Sequence, residues 1–339
     1  MNMINTKSEN SISADMLIAL LVPAVIAVYY YGARAAVIIV VSVIVCIFTD
    51  LICFKLRGKS ASDFDVSTIV TGLTIALMMS AAVPYYAVIT ADMFAIIICK
   101  HAFGGRKNAI FNGAAAAFLF TSICFPSEML NYPRPSVHIG LSSDAVLNTA
   151  LFPSMSKSVA LSNDAVSGSF IDLLVGKFCG PMGTGFTILF LISAVFLMLR
   201  RSVSAIAFCS QFVVVVVGTL IYCKFNLSYA MAVLCSGMII FGMIFLSCDY
   251  TTMPKTRSSR FIFGLLTGVL TLIFRFYAGA ENPIVYAVII AAPIGIELDK
   301  KMISFSRIIS EYKAKKAPVV SKNGATPNTD ESGLNNEQQ

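Results

Sequence analysis

The chain has 339 residues, of which 57% are hydrophobic and only 13% are charged. Soluble globular domains carry roughly 25% charged residues, so the composition excludes a soluble domain and predicts an integral membrane protein. The net charge of +7 comes from basic residues in short turns between apolar runs, and we expect these residues to contact anionic lipid rather than nucleic acid.

Long uncharged runs recur along the chain, for example at residues 16–31, 35–49 and 203–223. A hydrocarbon core about 30 Å thick needs roughly 20 apolar helical residues, and backbone groups in lipid must bond within the helix. The sequence therefore predicts an all-α polytopic membrane protein with about ten transmembrane helices. The predicted spans are 15–32, 34–55, 67–83, 85–101, 108–126, 183–199, 203–222, 227–248, 260–278 and 283–299.

These spans divide into two five-helix membrane blocks, residues 15–126 and 183–300, separated by one long loop at 127–182. A short N-terminal segment, 1–14, precedes them, and a tail at 301–339 follows that is first basic and then rich in Pro, Asn and Ser. The composition of the tail end predicts disorder. Two blocks with odd numbers of helices have opposite orientations in one membrane, which makes a five-plus-five inverted repeat a hypothesis.

The distribution of basic residues predicts the orientation. With the N-terminus in the cytoplasm, 19 of the 25 Lys and Arg residues fall on the cytoplasmic side, as the positive-inside rule requires. Both termini are then cytoplasmic, and the long loop lies outside. Six basic residues remain on the other side: Arg34, Arg134, Lys157, Lys177, Lys224 and Arg275.

Acidic residues inside spans are expensive in lipid and are functional candidates. Asp50 lies late in the second span near Lys55 and Arg57, so either an interfacial salt bridge with these neighbours or a place on a cation path accounts for it. Asp92 lies midway along the fourth span without a partner in the local sequence, and Asp249 ends the eighth. We predict all three as candidates for a cation path.

Metal and disulfide chemistry is not indicated. The nine cysteines lack any C-x-x-C pair and lie mostly within spans, where a cysteine behaves as a small apolar residue. The two histidines, His101 and His138, have no neighbours in sequence with metal-ligand spacing. The sequence therefore predicts no metal site.

Four segments in order carry a resemblance to a known family. They are IALLVPAVIAVYYYG (18–32), SDFDVSTIVTGLTIALMM (62–79), FAIIICKHAFGGRKNAIFN (94–112) and FLSCDYTTMPKTRSSRFIFGLLTGVLTLIFR (245–275). Together they resemble the RnfD/NqrB family, which comprises the RnfD membrane component of the Rnf electron-transport complex and the NqrB component of the sodium-pumping NADH:quinone oxidoreductase. The resemblance implies an ion-translocating electron-transport subunit in a plasma (inner) membrane, with the other subunits of such a complex as partners.

The resemblance also implies FMN joined by a phosphodiester to a threonine in a D-x-x-[ST]-G-A-T motif after the fifth span. The chain departs from this motif. In DAVLNTA (144–150), Asp144 is in place but Thr149, the candidate acceptor, stands one position early. In DAVSGSF (164–170), Ser169 is a weaker candidate, and Gly185 replaces the glutamate usual at the entry to the sixth span. Two alternatives follow from these departures: FMN is attached covalently to one of these hydroxyls, or the chain carries no covalent FMN.

Two other functions are alternatives for this chain, because one fold can host unrelated functions. One is a transporter or channel for a small solute or ion without a redox role. The other is a scaffold subunit without a cofactor.

Overall fold

The computed structural model describes residues 9–58, 65–105, 108–142, 145–146, 149–154 and 170–316. The chain forms two units, residues 1–302 and residues 303–339. The first contains the membrane helices and all the contacts described below. The described part of the second, residues 303–316, is helical.

The described chain is almost entirely helical. Its helices are α1 (Glu9–Tyr31), α2 (Ala33–Leu56), α3 (Ser67–Met78), α4 (Tyr85–Phe94), α5 (Gly113–Cys124), α6 (Pro126–Met129), α7 (Phe170–Val175), α8 (Thr187–Leu199), α9 (Ala205–Tyr222), α10 (Leu227–Cys235), α11 (Ile239–Gly242), α12 (Arg257–Phe276) and α13 (Pro283–Lys316). Two π-helices, π1 (Ala95–Ala102) and π2 (Met243–Ser247), continue α4 and α11. Two short strands, β1 (Asn131–Pro133) and β2 (Leu151–Pro153), pair antiparallel in the long loop.

The ten predicted spans each coincide with a helical segment, so the expected polytopic helical membrane protein is confirmed. Five described helices are long and apolar enough to cross a membrane, and six are if the bent pair α10–α11 with π2 counts as one. Three apolar helices, α3, α5 and α8, have only 12 or 13 residues. At 1.5 Å per residue they extend about 18–20 Å, which is less than the roughly 30 Å hydrocarbon core.

The third predicted span, 67–83, is wrong at its end, because α3 stops at Met78. The backbone after it is satisfied by a distant segment: Met182 N donates to Met79 O, and Gly183 N donates to Leu77 O, both at 3.0 Å. Residue 183 must be glycine for this approach, since a Cβ there would lie 2.5 Å from Leu77 Cβ. The end of the long loop therefore completes the end of α3.

The eighth predicted span, 227–248, is broken rather than continuous. Its two parts meet at an angle of 51° after Cys235. Gly237 and Met238 adopt positive φ angles of 69° and 56° at the break, the left-handed region that glycine tolerates and most residues avoid. The chain then continues through α11 into π2.

Contacts between helix ends agree with the predicted alternation of the spans. Arg200 bonds to Asp15 Oδ1 at 2.9 Å, which joins the start of α1 to the end of α8. The Lys255 backbone N–H donates to Asp299 at 3.0 Å, which joins the turn before α12 to α13. On the opposite face, the Ser80 hydroxyl donates to the Asn131 carbonyl at 2.7 Å. Each of these contacts links turns that were predicted to lie on one side of the membrane.

Arg34 is one of the six basic residues that oppose the predicted orientation, and its side chain is buried. The guanidinium donates from Nε to Ala81 O and from Nη2 to Val83 O, both at 3.0 Å. Its Nη1 reaches Leu141 O at 3.1 Å, and its plane lies over the Tyr85 ring at 4.8 Å. Arg34 thus ties the start of α2 to the non-helical turn after α3 and to the long loop.

Helices α9 and α12 pack closely along a face of small residues. A Cβ on Gly264 would lie 2.5 Å from the Ala207 carbonyl oxygen, and one on Gly268 would lie 3.2 Å from the Gln211 carbonyl oxygen. Close backbone approach through small residues is a common way for membrane helices to associate. A larger residue at either position forces the two helices apart.

We expect Gly264→Val to lower the thermal midpoint of the purified chain in detergent, because overpacking costs about 1–3 kcal/mol and the Ala207 carbonyl belongs to the backbone and cannot rotate away. Val269→Ala on the same helix is the matched control, since Val269 is 46% exposed. Equal midpoints for the two variants would contradict the close packing of α9 on α12.

We expect Arg34→Met to destabilise the chain more than Arg34→Lys does. The methionine leaves the Ala81 and Val83 carbonyls without their donor, at about 1–3 kcal/mol for each buried group, whereas the lysine can satisfy one of them. The thermal midpoint in detergent measures the difference. Wild-type stability of Arg34→Met would show that these carbonyls do not depend on the guanidinium.

Candidate functional site

Asp50 is fully buried at the end of α2 and is surrounded by donors. Its Oδ2 accepts from Lys100 Nζ at 2.9 Å and from the Thr68 hydroxyl at 2.7 Å. Its Oδ1 lies 2.6 Å from His101 Nε2. Lys100 and His101 are brought here by π1, and the wider turn of a π-helix is a frequent feature of functional sites. We call Asp50, Thr68, Lys100 and His101 the Asp50 cluster.

The donors around His101 fix its tautomer. Arg57 Nη1 lies 3.4 Å from His101 Nδ1, and a guanidinium can only donate. Nδ1 is therefore the acceptor, and Nε2 carries the proton that is donated to Asp50. In this arrangement Oδ1 of Asp50 accepts from His101, and Oδ2 accepts from Lys100.

The predicted salt bridge of Asp50 with Lys55 or Arg57 is wrong. Asp50 pairs with Lys100 and His101, about 50 residues further along the chain, while Arg57 contacts the imidazole instead. The prediction weighed only neighbours in sequence, and the pairing depends on the packing of π1 against α2.

Asp92 lies in the last turn of α4, just before π1, and is fully buried. The Ser42 hydroxyl of α2 lies 2.8 Å from Asp92 Oδ1 and 2.8 Å from the Gly72 carbonyl of α3. The Cys46 thiol is also close enough to interact with the carboxyl. Asp92 Oδ2 has no hydrogen-bond partner among the described residues. The described partners of Asp92 lie on α2.

Asp249 follows π2 and links the two membrane blocks. Its Oδ2 accepts from Asn112 Nδ2 at 3.0 Å and from the Thr251 hydroxyl at 2.7 Å. Asn112 also caps α5, since its Oδ1 accepts from the Ala115 backbone N–H at 3.1 Å. One amide side chain thus begins a helix of the first block and holds a carboxylate of the second.

A cavity of about 70 Å³ lies beside Asp249, where α1, α3, π1 and α5 meet the turn after π2. Its polar lining includes Ser67, Thr71, Thr74, Lys100, Asn112 and Asp249. Since each water occupies about 30 Å³ in the liquid, this volume suits a few waters or one small hydrated group. Lys100 belongs to both the cavity wall and the Asp50 cluster, so the two features are continuous.

The structure does not bring the loop candidates to this cavity. Thr149 lies just before β2, is half-buried, and donates its hydroxyl to the Ala145 carbonyl at 2.7 Å. Asp144 and Ser169 lie outside the described residues. Pro133 pairs with Leu151, so the register continued by one residue sets Arg134, the residue after β1, opposite Ala150, the residue after Thr149. Arg134 and Thr149 therefore lie at the same end of the β1–β2 pair.

Arg134 is exposed and lies over the Phe152 ring at 4.5 Å. Burial raises the pKa of the Cys179 thiol, and the positive charge of Arg134 offsets part of that rise. The guanidinium thus stands between β2 and the segment that leads into α8. It is a cation available to an anionic group in this part of the loop.

Sequence reasoning missed Lys100, His101 and Asn112 as site residues. Lys100 and Asn112 lie inside the FAIIICKHAFGGRKNAIFN segment, whose residues carried only the family resemblance. A lysine at the end of an apolar run is ordinary at a membrane surface. Its ion pair with a buried aspartate appears only when π1 packs against α2.

Comparisons with a family model and with known proteins match the chain to the same family of membrane subunits. The family model described as NQR2, RnfD, RnfE matches residues 3–301. The D subunit of an ion-translocating oxidoreductase complex from Methanosarcina acetivorans is 25% identical over 263 residues, which are 78% of this chain and 79% of that protein.

Two further relatives name the translocated ion. The D subunit of a Na(+)-translocating ferredoxin:NAD(+) oxidoreductase complex from Acetobacterium woodii is 26% identical, over 91% of this chain and 94% of its own length. The D subunit of a proton-translocating ferredoxin:NAD(+) oxidoreductase complex from Clostridium ljungdahlii is 24% identical, over 87% and 90%. Because the family match covers most of the residues and all ten helical segments, the chain belongs to the NQR2, RnfD, RnfE family of membrane proteins.

Proposed function

We propose that this chain is the RnfD-type membrane subunit of an ion-translocating electron-transport complex, in which electron transfer drives Na⁺ or H⁺ across the membrane. The observation that carries the proposal is the family match over residues 3–301, together with relatives named as the D subunits of such complexes. Its partners are the other membrane and peripheral subunits of that complex. The chain is a non-autonomous part of the enzyme in this proposal, because the relatives are named as single subunits of oxidoreductase complexes.

The buried polar groups support a role in ion movement. Ionisable residues inside a membrane protein are costly and occur mainly on ion or substrate pathways. Asp50, Asp92 and Asp249 are the acidic residues that we assign to such a path. The Asp50 cluster and Asp249 are joined through the cavity wall by Lys100, and Asp92 lies deeper in the first block.

The proposed orientation places both termini in the cytoplasm of a cell with a bacterial-type plasma membrane. The positive-inside count supports it, and so do the contacts that pair turns of the same predicted face. The cavity and the Asp50 cluster then open toward the cytoplasm, and the β1–β2 pair lies outside. Arg34, one of the six basic residues predicted on the outer side, is buried and therefore does not contact lipid head groups.

We further propose that FMN is held on the outer loop, with Thr149 as its attachment residue. The described residues fit such a group: the Thr149 hydroxyl is held by a single bond to Ala145, which costs about 1 kcal/mol to release. Arg134 provides a cation for a phosphate at the same end of the β1–β2 pair. When bound, FMN would supply one-electron redox chemistry, while Arg134 and Thr149 would hold its phosphate.

The complex can be tested in the native host. We expect the tagged chain, extracted in mild detergent, to co-purify with redox subunits, because an RnfD-type subunit has no electron donor of its own. Deletion of its gene should abolish ferredoxin-dependent NAD⁺ reduction by inverted membrane vesicles, and the intact gene should restore it. Three results would refute the proposed function. They are purification of the chain without any redox subunit, wild-type electron transfer in the deletion strain, and solute uptake by the chain alone in proteoliposomes.

The flavin proposal predicts in-gel fluorescence of the denatured chain when it is co-expressed with its flavin transferase. Thr149→Ala should abolish the fluorescence, because the acceptor hydroxyl is gone, whereas the matched Ser169→Ala variant should retain it. Arg134→Gln should reduce the labelled fraction several-fold, since the cation at the same end of the β1–β2 pair is lost. A dark parent chain, or a fluorescent Thr149→Ala variant, would overturn this assignment.

A further inference from the structure

The contacts of Ser42 indicate whether the Asp92 carboxyl group carries a proton. A serine hydroxyl has one proton, yet Ser42 Oγ lies 2.8 Å from two oxygen atoms, the Gly72 carbonyl and Asp92 Oδ1. A carbonyl oxygen can only accept a hydrogen bond. If Ser42 donates to Gly72, the contact with Asp92 is a full hydrogen bond only when the carboxyl group donates to Ser42. The arrangement suits a protonated Asp92.

The second oxygen of Asp92 supports the same state. Asp92 Oδ2 is buried and has no hydrogen-bond partner among the described residues. An ionised carboxylate whose described partners are only a hydroxyl and a thiol pays a large desolvation penalty in an apolar interior, whereas a neutral acid pays far less. The basic side chains of π1, Lys100 and His101, both bond to Asp50.

The surroundings of Asp92 do not suit a bound metal cation. Hard cations take about six or more oxygen ligands, but the polar atoms described at this site are the Ser42 hydroxyl, the Gly72 carbonyl and the Cys46 thiol. The segment of α5 that packs on α4 carries no charged side chain. A single proton is the cation that these groups can hold.

A polar stripe connects Asp92 to the edge of the bundle. Ser42, Cys46 and Asp50 are buried and four residues apart on α2, so they lie on one face of that helix, over about 12 Å. Thr68 and Gly72 of α3 face them from the other side. The stripe therefore begins at Asp92 and ends at the Asp50 cluster, whose Lys100 lines the cavity.

We propose that Asp92 is a proton-binding site within the membrane, and that its proton exchanges with Asp50 along the α2 stripe. In this exchange the O–H bond at Asp92 breaks and an O–H bond forms at Asp50, with Cys46 and Ser42 between them. This proposal names the proton as the ion that the chain handles, which deepens the proposed function. The role of Asp92 in coupling rests on that proposed function.

Several other titratable groups face this site. On α2 they are Cys46 and Asp50, and in π1 they are Cys99, Lys100 and His101. The described helix α3 contributes no titratable side chain, and the only one of α5, Cys124, is exposed. Asp92 is therefore the one carboxyl in the middle of this bundle region among the described residues.

The test is carbodiimide labelling of the intact complex in native membranes. Dicyclohexylcarbodiimide is apolar and reacts with protonated buried carboxyl groups, and mass spectrometry of the peptide containing residue 92 measures the adduct. We expect labelling of Asp92 that falls about tenfold per pH unit once the group loses its proton and that is unchanged by Na⁺ at constant pH. Absent labelling, labelling independent of pH, or protection by Na⁺ would each overturn the proposal.

A second measurement tests whether Asp92 couples proton movement to electron transfer. It also separates the Asp92 proposal from the proposed function of the chain. In inverted vesicles, Asp92→Asn should lose donor-driven proton uptake by at least tenfold, and Glu297→Gln should not, because the Glu297 side chain is 62% exposed. Equal uptake in both variants would overturn the coupling role of Asp92. Wild-type vesicles without any donor-driven ion movement would refute the proposed function instead, while the labelling would still decide whether Asp92 binds a proton.

Discussion

A polar group buried in a membrane protein must find its partner within the protein, and this requirement organises the structure. Each unsatisfied backbone or side-chain group in the hydrocarbon region costs several kcal/mol. Where α3 ends early, its carbonyls bond to the Gly183 segment, and the turn that follows bonds to Arg34. Where α2 buries a carboxylate, π1 supplies a lysine and a histidine. Irregular backbone and buried charge therefore occur together.

The two membrane blocks share one type of close contact between helices. In the first block, Gly72 of a Thr-Gly pair packs with its Cβ position 3.1 Å from the Ser42 carbonyl oxygen of α2. In the second, Gly268 of a Thr-Gly pair lies against the Gln211 carbonyl oxygen of α9 in the same way. The segments VTGLTIALMM (70–79) and LTGVLTLIF (266–274) both contain this Thr-Gly pair, and the pair makes similar helix contacts in the two blocks. The five-plus-five inverted repeat stays a prediction.

The helical segments could be predicted from the sequence because uncharged runs of sufficient length have few alternatives to helix in lipid. The early end of α3 could not, because Met79, Ala81, Ala82 and Val83 are as apolar as the helix before them. Only the tertiary bonds with Met182 and Gly183 show that the helix stops there.

The candidate site was predictable in part for a related reason. Acidic residues in apolar runs are visible in a sequence, so Asp50, Asp92 and Asp249 could be singled out. Their partners could not, since Lys100 is 50 residues from Asp50 and Asn112 is 137 residues from Asp249. Such pairings depend on how helices pack, and local charge patterns, such as Lys55 and Arg57 near Asp50, point to the wrong neighbour.

The short helix α3 has a consequence for energy conversion. The cavity borders α3 from Ser67 to Thr74, so water-accessible space extends about 10 Å along a helix that is itself only about 18 Å long. The membrane voltage then falls across a thinner insulating layer than the full bilayer. Moving one elementary charge through the whole potential is worth about 2.3 kcal/mol per 100 mV. Much of that work would be done over the few residues between Thr74 and the end of α3, where a small displacement of charge has a large electrical effect.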